Sequence, residues 1–410
     1  MKVAIIGSGI SGLMLAHLLH KDHSITIYEK ENRIGGHAHT QDVTVNGNTV
    51  SVDTGFIVYN QTTYPLFTAL LSNLQVPSAK STMSFSVFSR KENFEYCGSN
   101  LATLFSQKKN LLNKEFLCML YEIIKFNRQS KRLVSTHADL PLQDFLREYR
   151  YSDYFISKYL FPMCSAIWST DLATIGTYST SFVVNFFHNH GLLSLHSRPQ
   201  WLTIPNGSKN YINTLIKPFE SSFRLSSHIT TIQRDDGGVI INTNDGANRY
   251  DYLFFACPSD QALALLASPT TREIEILSAI KFQTNTATLH TDKNLMPVNK
   301  NNWAAWNYNI DSARQVSVTY HMNQLQPLAT TQPLFVSLNC SNVIKPELII
   351  STTQYTHPLL TLDAMHAVSR RDEISGPNRT YYAGAYWGNG FHEDGVRSAY
   401  QAVNSFTRSK

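Results

Sequence analysis

Lys2-Val3-Ala4-Ile5-Ile6-Gly7-Ser8-Gly9-Ile10-Ser11-Gly12-Leu13, at the head of the chain, decides the fold. A short apolar run closed by a glycine reads as a strand buried on both faces. The glycines that follow are spaced GxGxxG. Gly7 permits the tight turn, Gly9 leaves bare backbone against a pyrophosphate, and Gly12 lets the next helix pack on the strand. Leu13 to His20 supplies that helix, and Ser24-Ile25-Thr26-Ile27-Tyr28 a second strand closing on Glu29. A helix start offers N–H groups and partial positive charge to phosphates. Glu29 stands 20 residues after Gly9, the offset from which a carboxylate accepts hydrogen bonds from a ribose. Strand, turn, helix, strand and acid together read as a dinucleotide-binding unit.

The rest of the composition bounds what surrounds that unit. At roughly 100–200 residues per domain, 410 residues make about two to four domain-sized pieces. With 42% hydrophobic and 11% aromatic residues the chain is not disordered. Its 16% charged residues fall below the about 25% of an ordinary globular protein. Lys and Arg number 35 against 30 Asp and Glu, and a net +5 is too mild to point to nucleic acid. The five cysteines form no CxxC and suit a reducing, cytoplasmic setting better than a disulfide framework. The apolar run Val3 to Leu19 does not read as an export signal, because glycines interrupt it and no small-residue cleavage site follows. No run of about 20 apolar residues reads as a membrane span. No nucleophile elbow supports hydrolysis.

The segment Glu29-Lys30-Glu31-Asn32-Arg33-Ile34-Gly35-Gly36-His37 places a cation and bare backbone beside the same pyrophosphate. It resembles the GxGxxG…E…RxGG signature of FAD enzymes of the amine oxidase, protoporphyrinogen oxidase and phytoene desaturase superfamily. The resemblance implies an α/β fold: a Rossmann-type FAD-binding domain, with a parallel sheet and a β-meander, and an inserted α+β substrate domain. It implies that Gly7, Gly9, Ile10, Ser11, Gly12, Glu29, Lys30, Arg33, Gly35, Gly36 and His37 hold FAD, with His37 standing where many members carry a second arginine. Gly55 and Phe56, in Val52-Asp53-Thr54-Gly55-Phe56, are similar to the loop that approaches the flavin ring. Leu225 to Ile232, Val239 to Thr243 and Tyr252 to Ala256 read as strands joined by hairpin turns, similar to the family's meander, with Ile229 near the adenine and Ala256 ending the return strand. Thr380 to Ala385 reads as a last strand, with Gly384 in the glycine turn, and Asp394-Gly395-Val396 opens a last helix aimed at the flavin pyrimidine and pyrophosphate. Many relatives carry an acid where this chain has Ala385, so Asp394 or Glu393 is expected to take its place. No cysteine stands where monoamine oxidases attach flavin, so the FAD is expected to be non-covalent.

Longer strings carry a narrower resemblance. Gly35-Gly36-His37-Ala38-His39-Thr40, Ala166-Ile167-Trp168-Ser169-Thr170, Phe186-Phe187-His188-Asn189-His190-Gly191, Arg198-Pro199-Gln200-Trp201 and Gly384-Ala385-Tyr386-Trp387-Gly388 resemble bacterial flavoproteins related to the N-terminal region of plant cyclopropane fatty-acid synthases. That branch implies a lipid setting and a lipid methyltransferase as partner. The expected FAD-binding domain is discontinuous (1–60, 196–268 and 370–410), and 61–195 with 269–369 form the substrate domain.

Phe56, Tyr59, Phe85, Trp168, Phe186, Phe187, Tyr386, Trp387 and Phe391 crowd the expected substrate side and suit an apolar ligand. Tyr386, Trp387 and His392 are the candidates for a catalytic role, and no base is assigned; Lys281 precedes an expected substrate-domain strand. His37 and His39 have strand spacing, and no metal is expected. His188 and His190 read as structural hydrogen-bonding groups. From Leu101 to Val134, Phe116, Leu120 and Ile123 recur at helical spacing among Lys108, Lys109, Lys114, Lys125, Arg128, Lys131 and Arg132. This is either an ordinary domain helix with a solvated basic face or a peripheral contact with anionic lipid at the inner membrane surface. Three functions stay open: an FAD-dependent oxidoreductase taking hydride from a lipid or fatty-acyl C–H bond onto flavin N5, an FAD-dependent amine oxidase, and a non-catalytic accessory of a lipid methyltransferase.

Overall fold

The computed structural model describes residues 1–133, 140–190, 199–311 and 316–408. Val134, Gly191, Arg198, the side chains of Lys131 and Arg132, and the expected boundary at 195–196 lie outside the described residues.

The opening strand Lys2–Ile6 pairs in parallel with Ser24–Tyr28 on one side and Tyr252–Phe255 on the other. Phe223–Arg224 and Thr380–Tyr382 complete a five-stranded parallel sheet built from the beginning, middle and end of the chain. Parallel neighbours need crossovers, and the helix Ile10–Leu19 makes the first. Val3, Ala4 and Ile5 are fully buried, because helices pack on one face of the sheet and a meander with further helices on the other. The first face takes Leu13, Ile212, Val396 and Ala399 from the helices Ile10–Leu19, Lys209–Ile216 and His392–Arg408. The second takes Ile232, Val239 and Ile241 from the meander, and Ala262, Ile276 and Ala364 from the helices Ser259–Leu265, Thr271–Ala279 and Leu362–Ser369.

Three sequence expectations change here. Leu225 to Ile232 is not one strand. The Ser226 and Ser227 N–H groups donate to the Glu31 and Glu29 carbonyls at 2.9 Å, turning the chain before the meander strand Ile229–Asp235 begins. The meander has a third strand, Gly246–Tyr250, which escaped notice because all but Tyr250 are exposed and no apolar alternation marks it. The last strand stops at Tyr382, and Ala385–Trp387 form a separate 3₁₀ turn.

The two insertions share one seven-stranded sheet, in the order Ile349–Pro358, Phe282–His290, Phe335–Leu338, Val318–His321, Trp306–Asn309, Phe85–Ser89, Phe94–Cys97. Every pairing is antiparallel except Trp306–Asn309 with Phe85–Ser89, where the insertions join. The helices Lys114–Leu133, Leu142–Glu148, Phe161–Trp168 and Thr180–Asn189 pack with it in one core. The basic stretch from Leu101 is not one helix. It divides into Leu101–Leu104, a 3₁₀ turn Lys108–Leu111, and Lys114–Leu133, whose start is set by Asn113 Oδ1 accepting from the Glu115 and Phe116 N–H groups at 2.9 and 3.2 Å.

Candidate active site

The helix Ile10–Leu19 begins at Gly9 with no side chain capping it. A Cβ on Gly12 would lie 1.9 Å from the Gly7 carbonyl oxygen, so only glycine lets the helix close on the turn. A Cβ on Gly9 would meet nothing within 4 Å, so the space beside the helix start is open. Glu29 reaches this turn from the second strand. Its Oε2 accepts from the Ser8 N–H at 2.9 Å and Ser8 Oγ at 2.7 Å, and Oε1 accepts from the Glu31 N–H at 3.0 Å. A carboxylate accepts about four hydrogen bonds, which leaves one direction for a hydroxyl. Lys30 is exposed beside it, and the turn leading to Ile229 is held to it by the Ser227 N–H on the Glu29 carbonyl. Ala256 donates its N–H to the Ile6 carbonyl at 2.8 Å and closes the turn from the other side.

The second glycine pair lies against the first turn. The Gly35 N–H donates to the Ser8 carbonyl at 3.1 Å, Gly9 and Gly35 form a parallel bridge, and Arg33 Nη1 donates to the Gly36 carbonyl at 2.7 Å. His37 follows. Its side chain has an exposed surface, yet burial, with Arg33 behind it, holds its pKa down to about 4. The His37 carbonyl accepts the Phe56 N–H at 2.8 Å, and a Cβ on Gly55 would lie 2.2 Å from that oxygen, which holds Gly55 and Phe56 against His37.

The last helix, His392–Arg408, starts at this point too. Ser11 Oγ donates to the Gly395 carbonyl at 3.1 Å, a Cβ on Gly395 would come within 2.6 Å of Ile10 Cγ2, and Val396 is fully buried. Two helix starts thus converge beside Gly9. The Gly384 N–H donates to Ser398 Oγ at 2.9 Å, so the glycine turn is fastened to the same helix. Asp394 Oδ2 accepts the Phe391 N–H at 3.0 Å, and burial pushes its carboxyl up to about 6. Glu393 does not stand in for the acid missing at Ala385. Its two oxygens accept the Leu66 and Phe67 N–H groups at 3.1 and 2.9 Å and so cap the helix Pro65–Asn73. His392 stacks on Phe56, and its Nε2 lies 3.1 Å from the Tyr211 hydroxyl. Burial holds it at about 3, so it is neutral at pH 7.

On the substrate-domain side, Phe391 stacks on Phe186 at 5.1 Å between centroids; Phe186 in turn meets Trp168 at 4.9 Å and stacks on His190 at 3.8 Å. His190 Nδ1 lies 3.0 Å from the Phe186 carbonyl, a structural contact. Phe85 and Phe187 share the substrate-domain core with this cluster, and the remaining expected aromatics lie elsewhere. Tyr59 packs on Phe67, Phe187 on Phe126, and Tyr386 and Trp387 sit in the core with Phe255, Tyr382 and Ala364. Lys281 is exposed.

Three residues here were not singled out in the sequence. Tyr355 and His357 lie 4.9 and 5.2 Å from the His37 ring. The Tyr355 hydroxyl is 2.9 Å from Thr54 Oγ1 and 3.1 Å from His39 Nδ1. Asn285 Nδ2 donates to His357 Nδ1 at 2.9 Å, which leaves the proton of the neutral imidazole on Nε2. The available signal was spacing: His37/His39 and Tyr355/His357 each present two side chains to one face of an extended segment. Among the described residues no group of three or more His, Cys, Asp or Glu could hold a metal ion.

A parallel sheet with a GxGxxG turn, an acid on the second strand and a second helix start beside the first defines a dinucleotide-dependent flavoprotein of oxidoreductase type. The model of the family "Flavin containing amine oxidoreductase" matches residues 10–336, and the chain belongs to that family. It is an FAD-dependent oxidoreductase. Solved structures share its fold. One, assigned as a protoporphyrinogen oxidase, from Exiguobacterium sp. 255-15, is 18% identical with a TM-score of 0.72 over 100% of this chain and 99% of that one. A CLA-producing fatty acid isomerase from P. acnes is 16% identical, TM-score 0.70, covering 99% and 98%. Cyclohexylamine oxidase from Brevibacterium oxydans IH-35A is 14% identical, TM-score 0.68, covering 99% and 98%. No curated protein matches the chain in sequence. The narrower likeness to the cyclopropane-synthase-related branch rests on the sequence strings alone.

The residues fit FAD. The uncapped start of Ile10–Leu19, with the start of His392–Arg408 beside it, and the bare backbone of Gly9, Gly35 and Gly36 suit a pyrophosphate, and the open acceptor direction of Glu29 suits a ribose hydroxyl. His37, Phe56 and His392, joined through Phe56, are the residues that would border the ring system.

Proposed function

We propose that the enzyme removes hydrogen from a C–H bond of an apolar acyl chain, a lipid or fatty-acyl substrate that includes methylated or cyclopropanated chains. One observation carries this reading. Every buried carboxylate among the described residues is already hydrogen-bonded within the protein: Glu29 to Ser8, Asp53 to Ser208, Glu393 to Leu66 and Phe67, Asp394 to Phe391, and likewise Glu95, Glu122, Glu273 and Asp292. The Phe391, Phe186 and Trp168 rings offer an apolar seat in which an acyl chain needs no counter-ion, whereas an ammonium group would have to share a carboxylate already bonded within the protein.

Bound FAD supplies the two-electron acceptor. The protein's own part is to seat the chain against these rings, to exclude water, and to offer neutral imidazoles. His37, His357 and His392, at about 4, 3 and 3, carry no charge at pH 7 and act there as hydrogen-bonding groups.

The P. acnes neighbour, a fatty acid isomerase by name, supports the reading. Amine oxidation is the second reading, favoured by the shared fold of cyclohexylamine oxidase and by the paired rings of Phe56 and His392. The test is mass spectrometry of phospholipid recovered after aerobic incubation with the flavin-loaded enzyme. Loss of two hydrogens from an acyl chain is expected; unchanged lipid alongside deaminated polyamine would reverse the order of the two readings.

A further inference from the structure

Of the fifteen large apolar side chains left in solvent among the described residues, six lie between Leu101 and Ile124. Leu101 is 74% exposed, Leu112 88% and Tyr121 65%, with Leu111, Leu117 and Ile124 also exposed. The helix Lys114–Leu133 has two faces. Phe116, Met119 and Phe126 point into the core, while Leu117, Tyr121 and Ile124 follow each other on the outer side at steps of four and three residues. An outward apolar stripe on a helix that has already buried its own apolar face is not needed for packing.

The exposed charges around the stripe are positive except for Glu115. Lys108, Lys109, Lys114 and Arg128 are exposed. Of the two acids in this stretch only Glu115 faces out, since Glu122 is buried and accepts from the Ser152 N–H at 2.8 Å. Among the described residues Lys108 and Lys114 take part in no ion pair.

We propose that this face, from Leu101 to Arg128, docks the enzyme on an anionic lipid bilayer. Single leucines projecting almost wholly into solvent, rimmed by lysines, match a surface with apolar depth and anionic headgroups above it. A protein partner would meet a flatter patch carrying paired hydrogen-bonding groups. No described helix is long and apolar enough to cross a membrane, so the contact is peripheral. The location suits the site. Phe126, on the inner side of this helix, meets Phe187 of Thr180–Asn189 at 6.3 Å, and the neighbouring Phe186 meets Phe391. The inference stands apart from the identity of the substrate.

The test is flotation of the flavin-loaded full chain with vesicles of phosphatidylcholine, alone or mixed with phosphatidylglycerol. Binding to the mixed vesicles that weakens with salt is expected. Leu112→Asp with Leu117→Asp, and separately Lys108→Glu with Lys114→Glu, should each lower it by at least about tenfold, with the flavin absorbance spectrum unchanged. No flotation, equal flotation with both vesicles, or variants that float like the parent would overturn the proposal. So would a lipid-free dimer that Leu117→Asp dissolves, which would assign the face to a second copy of the chain.

Discussion

Phe56 and His392 stack face to face, with ring centroids 3.6 Å apart and planes 11° from parallel. Phe56 lies just past the hairpin formed by Thr40–Val45 and Asn48–Asp53, and His392 opens the last helix, so the stack joins distant parts of the chain at the edge of the cofactor space. His392→Phe keeps the ring and loses only the Tyr211 contact. It should cost about 1 kcal/mol and retain FAD. His392→Ala removes the ring and should cost about 3 kcal/mol in urea denaturation.

Flavin retention reports on the first turn. Gly9→Asp would place a carboxylate in the open space beside the helix start, where phosphates belong, and Glu29→Arg would replace the group that holds Ser8. Each variant should elute from gel filtration without flavin absorbance. Full occupancy in both would refute this placement of the pyrophosphate and ribose.

Glu393 serves a helix that begins in another part of the chain. In Glu393→Ala the Leu66 and Phe67 N–H groups lose their acceptor, a loss of about 2 kcal/mol, whereas Glu393→Gln keeps one acceptor oxygen and should lose about half of that. Equal stability of all three proteins would rule out the cap.

Stability should fall steeply in mild acid. Burial holds His37, His39, His190, His290 and His321 at about 4, and His357 and His392 at about 3. In the unfolded chain each takes up a proton near about 6.5. Between roughly pH 6.5 and 4 the unfolded state therefore binds more protons, and folding free energy is lost as pH falls through that window. Asp394 works in the opposite sense. With its folded pKa raised to about 6, it holds a proton that the unfolded chain has released, so acid relieves the burden of its buried charge. Asp394→Asn removes this compensation and should steepen the acid loss, as read by Tm between pH 7 and 5. A flat profile would contradict the assignment.

The cofactor half was legible because backbone chemistry writes it locally. Gly7, Gly35 and Gly36 take positive φ and Gly12 an approach too close for a Cβ, positions that select glycine, and Glu29 sits at a fixed offset. The substrate half is assembled over long range. Nothing local in Thr353-Gln354-Tyr355-Thr356-His357 says that His37 will face it, or that Asn285 will set its tautomer. Tyr386 and Trp387 were drawn to the site by their nearness in sequence to Gly384, yet the 3₁₀ turn Ala385–Trp387 points them into the core. Glu393 stood beside Asp394 as an alternative cofactor ligand because its partners, Leu66 and Phe67, are backbone groups that no pattern announces.

Anaerobic absorbance of the flavin-loaded enzyme tests the central claim most directly. Added fatty-acyl phospholipid should bleach the oxidised flavin band, polyamines should leave it unchanged, and air should restore it. Bleaching by polyamines with none by lipid would contradict the account.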